Sequence, residues 1–202
     1  MNELMDAILH DSVVKIRKLC EAGIDLTQKI DMGIEYGLEE PDYTPVLFYA
    51  IRKYASIDAI EVLLAHGCDI RQIDDDGLGA IDIAIKFKRA DVVQYCIDKG
   101  LDVNATARKS GITPIILAAC FNNIEIAQLL IDNGADINSH DTNGMSAKDY
   151  AKKLGQKKML EFLDAKGAKY NRYVLEVQQE AAGQGNMKDR KPPSEDMGFD
   201  SI

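Results

Sequence analysis

The sequence predicts an all-α solenoid: a row of stacked helix pairs, each ending on a glycine and joined to the next by a short β-hairpin-like finger. Three observations carry this reading. Glycines suited to end a helix pair, Gly23, Gly67, Gly100, Gly134 and Gly167, lie 44, 33, 34 and 33 residues apart. The residues after them match: Gly23-Ile24-Asp25, Gly67-Cys68-Asp69, Gly100-Leu101-Asp102-Val103-Asn104 and Gly134-Ala135-Asp136-Ile137-Asn138. Helix-start dipeptides recur in a compatible phase, with Thr44-Pro45, Gly79-Ala80, Thr113-Pro114 and Ser146-Ala147 separated by 35, 34 and 33 residues. A constant period of this size marks a repeat architecture.

The stretch Gly111–Asn138 serves as the template. Thr113 is expected to cap the first helix through its hydroxyl, and Pro114 tolerates the first helical position. Gly134 ends the second helix because it takes the left-handed conformation without a Cβ penalty. Both helices are too short to stand alone in water, so the unit must stack on its copies. The period and the motifs resemble the ankyrin-repeat family, whose unit of about 33 residues opens with Thr-Pro-Leu-His-x-Ala. The resemblance covers Asn2 to about Lys169, with units at about 2–26, 43–70, 76–104, 110–138 and 143–169. The first unit lacks the Thr-Pro start, and the family's histidine is replaced by Leu47, Asp82, Ile116 and Asp149. Gly79-Ala80 replaces Thr-Pro in the third unit, which predicts a poorly capped helix there.

The array has two ends. On the second helices, units two to five carry Ala59/Val62, Val92/Tyr95, Ile126/Leu129 and Met159/Phe162, where the first unit has Lys15 and Lys18. The inward position of Val46, Ile81 and Ile115 becomes Lys148 in the last unit. Lysine at such positions is what a terminal repeat facing water requires. The interval between the first two glycines exceeds the period by 44 − 33 = 11 residues, and the excess is an insertion over 27–42. Its apolar residues Ile30, Met32, Ile34, Tyr36 and Leu38 alternate with polar ones, which predicts an extended hairpin. Two readings stay open for it: an acidic finger that grips a partner, or a surface insertion whose apolar side folds onto the neighbouring units. Beyond the array, 170–182 suits one more helix packing through Tyr173, Val174 and Val177, and the composition of 183–202 predicts disorder.

Composition narrows the chemistry. A formal net charge of −9 argues against nucleic-acid binding through a general basic surface and favours a basic or neutral partner. No apolar run reaches the roughly 18 residues of a membrane helix. Met1–Asp6 does not begin a secretory signal, so a cytoplasmic protein is expected. Cys20, Cys68, Cys96 and Cys120 are too widely spaced for a zinc ribbon or a CxxC pair and read as reduced packing residues. His10, His66 and His140 pair in register with no nucleophile. Asp74-Asp75-Asp76-Gly77 reads as a turn, since the position at which a calcium loop closes with glutamate is Ile85. No phosphate loop is present. Neither enzymatic activity nor a cofactor or metal is expected.

In ankyrin-type arrays, as the resemblance implies, partner proteins are held by the finger tips and by the exposed ends of the first helices on a concave face. Carried over by position, the finger residues are Tyr43, Asp75, Asp76, Leu78, Lys109, Ile112, Thr142, Asn143 and Met145, with Tyr36 added from the insertion. The first-helix residues are Ile51, Arg52, Lys86, Phe87, Cys120, Phe121, Lys153 and Leu154. Phe87 and Phe121 stand out as interface anchors, because aromatics are enriched in hot spots; the alternative is that these rings tuck between units. The expected function is that of a monomeric protein-binding adaptor or regulator. The alternative is a stoichiometric inhibitor, such as an immunity-type protein that blocks a toxin or enzyme.

Overall fold

The computed structural model describes residues 1–33 and 42–172, and within them the chain forms five helix pairs. The first is α1 (Asn2–Leu9) with α2 (Val13–Glu21). A pair of two-residue strands follows, β1 (Ile30–Asp31) antiparallel to β2 (Tyr43–Thr44), with Ile30 opposite Thr44 and Asp31 opposite Tyr43. The later pairs are α3 (Val46–Arg52) with α4 (Ile57–Ala65), α5 (Ala80–Lys86) with α6 (Ala90–Asp98), α7 (Pro114–Cys120) with α8 (Ile124–Asp132), and α9 (Ala147–Lys153) with α10 (Lys157–Ala165).

From the second unit on, the first helix of each pair has seven residues and the second nine. Val46–Ile51, Ala80–Ile85 and Pro114–Ala119 are buried without a break. Six consecutive buried residues cover every side of a helix of about 3.6 residues per turn, so these helices form an inner layer. They stack α3 on α5 on α7 on α9, while α2, α4, α6 and α8 stack as the outer layer. α3 divides the core in two. It sends Val46, Tyr49 and Ala50 toward the first unit, and Leu47, Phe48 and Ile51 toward the units that follow.

The end positions behave as the lysines suggest. Lys15 and Lys18 face solvent, and the Lys15 ammonium donates to Asp6 Oδ2 at 2.8 Å. Lys148 turns to the far end, where it pairs with Asp164 and donates to the Ala168 carbonyl at 3.1 Å. All four cysteines are free and pack on apolar neighbours, and burial pushes the thiols of Cys68, Cys96 and Cys120 up to about 12. Ile30 and Met32 at the start of the insertion are buried in the first core cluster, which fits the alternation there. Ile34, Tyr36 and Leu38, together with Tyr173, Val174, Val177 and the 183–202 tail, lie outside the described residues.

The motif after each terminal glycine has a structural cause. Asp25, Asp69, Asp102 and Asp136 each accept, through Oδ1, the backbone N–H two residues on, at 2.8–3.0 Å. The residue four after the glycine then reaches the next unit. Arg71 donates to the Lys99 carbonyl at 3.4 Å, Asn104 donates to the Gly134 carbonyl at 3.1 Å, and Asn138 accepts from Lys169 N at 2.9 Å. The glycines themselves have φ between +77° and +116°. A Cβ at Gly23, Gly67, Gly134 or Gly167 would touch nothing, so backbone conformation and not lack of room selects glycine.

Thr113 departs from expectation. It is the N-cap residue of α7 without a side-chain cap, and its hydroxyl instead hydrogen-bonds the Ser139 hydroxyl at 2.8 Å in the next finger. Capping hydroxyls and amides come from Ser56, Asn123 and Ser146.

A second set of ties joins the units where three of the outer helices, α4, α6 and α10, begin. Ser56 N and Oγ donate to Asp11 Oδ1, and Gln156 Nε2 donates to the Cys120 carbonyl at 3.0 Å. Arg89, buried, is the strongest of these. Its Nη2 donates to the Ala55 carbonyl at 2.8 Å, a two-pronged pair with Asp91 spans 2.7–2.8 Å, and its guanidinium lies 5.6 Å from the Tyr54 ring centroid. Replacing Arg89 with Ala is expected to leave the Ala55 carbonyl buried and unpartnered, and to lower stability by about 2–3 kcal/mol. Urea unfolding of both chains, followed by circular dichroism, measures the difference.

Candidate partner-binding surface

The four seven-residue helices end at Lys53, Phe87, Phe121 and Leu154 as C-cap residues, so these side chains recur once per unit along one face. Phe87 and Phe121 are half-buried, each packed against the larger core cluster with part of its ring left open. Both readings of these rings are therefore partly met. The Arg52 guanidinium carbon lies 5.9 Å and the Lys86 ammonium 5.8 Å from the Phe87 ring centroid. Arg52 also faces Asp42 Oδ2 at 3.8 Å, with only 10% of its side chain exposed.

The fingers are built on single aspartates. Asp74 Oδ1 accepts the N–H groups of Asp76 and Leu78 at 3.0 and 2.8 Å, and Asp141 Oδ1 accepts those of Asn143 and Met145, both at 2.8 Å. Asp31 does the same for Gly33 and Asp42. In the fourth unit the corresponding residue is Arg108, which no sequence consideration had singled out. Its departure from the Asp31, Asp74 and Asp141 register is the signal that would have found it. Its own N–H is held by Thr106 Oγ1 at 3.2 Å.

The fingers also touch one another. Lys29 pairs with Asp75 at 2.7 Å, Thr142 donates through both N and Oγ1 to the Ser110 carbonyl at 2.9 Å, and a Cβ on Gly77 would collide with the Ala107 backbone.

Of the expected finger residues, Tyr43, Asp75, Asp76, Lys109, Thr142 and Asn143 are exposed, Tyr43 by 56%. Leu78 is not a surface residue. It is buried in the core, because the Asp74 turn folds its side chain inward, and Met145 follows suit at the same place in the last finger. Ile51 is likewise core, and Ile112 is half-buried against it. Tyr36 lies outside the described residues. The structure thus brings Arg52, Lys86 and Phe87 together and leaves the other exposed residues distributed over the fingers.

A family model for ankyrin repeats, in three copies, matches residues 4–107 and 102–173. The chain belongs to the ankyrin-repeat family. No curated protein matches it. Ankyrin repeats are protein–protein interaction modules, and no helix among the described residues is long and apolar enough to cross a membrane.

Two of the four ankyrin histidine positions hold aspartates in different settings. Asp149 Oδ2 accepts from Ser146 N and Oγ at 2.9 and 2.7 Å and from the Asn171 and Arg172 N–H groups at 3.0 and 3.2 Å. Burial pushes that carboxyl up, but these bonds outweigh it and hold the group below its ordinary value. Asp82 has Gly79 where Asp149 has Ser146. Its Oδ2 accepts only the Gly79 N–H, at 2.9 Å, and its Oδ1 is buried with no partner among the described residues. Asp82 and Gln72 together line a groove of about 410 Å³ between adjacent fingers.

Burial pushes the Asp82 carboxyl from 3.8 up to about 6, against the pull of the Gly79 N–H and the Arg108 guanidinium. Between those values the folded chain holds a proton that the unfolded chain releases. Asp82 therefore makes stability fall as pH rises through the window, by about 3 kcal/mol in total. Asp82→Asn is expected to flatten this part of the stability–pH profile in thermal melts between about pH 4 and 7. Gly79→Ser supplies the missing hydroxyl at a site where a Cβ meets only ordinary contact, and should raise the melting temperature at neutral pH.

Proposed function

We propose that this ankyrin array binds a partner protein through the face formed by its first-helix ends and fingers, acting as an adaptor or regulator without turnover. The observation that carries the reading is the recurrence of half-exposed Phe87 and Phe121 one unit apart, with Arg52 and Lys86 flanking the first ring. Open aromatic rings among charged groups are what interface hot spots are made of. The stacked units hold these side chains on short, fully packed helices, so little conformational freedom is lost on binding.

Exposed Tyr43, Asp75, Asp76, Lys109, Thr142 and Asn143 extend the same surface along the fingers. Free thiols suit a reducing cytoplasm, and the exposed charged residues suit a monomer between binding events. The second reading, a stoichiometric inhibitor of the immunity type, draws on the net charge of −9 and the acidic finger pair Asp75 and Asp76, which match a basic target.

Phe87→Leu with Phe121→Leu keeps apolar contact with the core while removing both rings. The double variant is expected to stay folded and to lose partner affinity by about tenfold or more. Capture of the native partner by wild type and variant, followed by titration of the purified pair, measures the loss; undiminished affinity would move the interface elsewhere. One dominant partner whose activity disappears on binding identifies an inhibitor, and several unrelated clients identify an adaptor.

A further inference from the structure

The chain carries a net charge of −9, yet cations gather at one place on the proposed surface. Arg52 ends α3, Lys86 ends α5 and Arg108 sits at the base of the next finger. Folding brings the three into one electrostatic neighbourhood: burial, then Arg52, and after it Arg108, depress the Lys86 ammonium, with Asp42 and Asp74 opposing them. Among the described residues, Asp42 and Asp74 act on Lys86, and Asp82 acts with Arg108. Asp42 stands 3.8 Å from Arg52, Asp74 is occupied by two backbone N–H groups, and burial favours the neutral form of Asp82.

Neither Lys86 nor Arg108 has an ion pair among the described residues. Arg52 Nε and Arg108 Nη1 are buried without hydrogen-bond partners there. Protein surfaces seldom leave several guanidinium and ammonium donors so incompletely matched unless something else completes them.

We infer that this face takes an acidic segment of the partner protein, with a carboxylate set between Arg52 and Lys86 beside Phe87, a second near Arg108, and an apolar residue on the open part of Phe87 or Phe121. The inference rests on the binding-surface reading above and gives that surface its partner chemistry. It also reverses the basic partner that net charge alone favours, because the field at the face is set by the side chains within a Debye length of about 8–10 Å and not by the whole chain. A nucleic acid fits less well. Binding its backbone requires a long basic track, and here three cations stand in a chain of net charge −9.

The test uses the full chain and an array of labelled peptides that alternate glutamate or aspartate with phenylalanine, tyrosine or leucine. Each peptide has a counterpart with lysine in place of the acid, and a labelled oligothymidylate serves as the nucleic-acid probe. Acidic peptides are expected to bind, their affinity falling steeply with salt. Lys86→Glu and Arg108→Glu should each weaken the best of them by about tenfold or more. Arg52→Gln should do so too if it folds, which circular dichroism checks; Lys86→Glu keeps the test valid if it does not. Binding of the lysine peptides in place of the acidic ones overturns the inference while leaving the surface reading intact. No binding of acidic peptides, equal binding of oligothymidylate, or indifference to Lys86→Glu and Arg108→Glu also overturns it. The surface reading fails separately, through undiminished native-partner affinity in the double leucine variant.

Discussion

Everything in this molecule depends on the fact that a seven-residue helix cannot exist by itself. Two turns of helix form too few backbone hydrogen bonds to offset the entropy of nucleation, and the helices α3, α5 and α7 are buried on every side over their first six residues. Only a neighbour above, a neighbour below and an outer helix behind can bury such a segment. The array follows from that need, and so do its ends. Lys15, Lys18 and Lys148 appear where a further neighbour would otherwise have to sit, and each meets water or a local carboxylate.

Stacking by apolar contact alone would leave the register between units loosely specified, and a repeated set of polar ties removes that freedom. Arg71, Asn104 and Asn138, each four residues after a terminal glycine, bond to the next unit's turn, and Ser56, Arg89 and Gln156 bond back to the unit before. These bonds join backbone groups that the short helices cannot satisfy internally. The same requirement that completes each helix therefore also fixes the geometry of the array.

The proposed binding face lies where the repetition fails. Gly79 in place of serine leaves Asp82 short of donors, and Arg108 in place of aspartate turns a finger base from acceptor to cation. Arg108 acts electrostatically on both Asp82 and Lys86, which links the two departures. A rigid scaffold bears such imperfectly satisfied groups because the packed units on either side hold them in place, and a partner's surface can then meet them ready-made.

The repeat itself was legible from residue order, since the glycine, aspartate and helix-start residues act within a few positions of themselves and leave a period in the chain. That period determined the row of helix pairs and the family. The strand-like start of the insertion was legible for the same reason, in the alternation through Ile30 and Met32. What the period could not determine was which member of a finger faces out. Asp75 and Leu78 occupy one turn, yet the turn exposes the first and buries the second. It could not foresee that the Thr113 hydroxyl would turn from its own helix to Ser139 in the next finger. Nor could net charge foretell the field at the proposed binding face. Arg52, Lys86 and Arg108 stand 34 and 22 residues apart in the chain, and only the stacking of one unit on the next brings them within one another's electrostatic influence in an acidic protein.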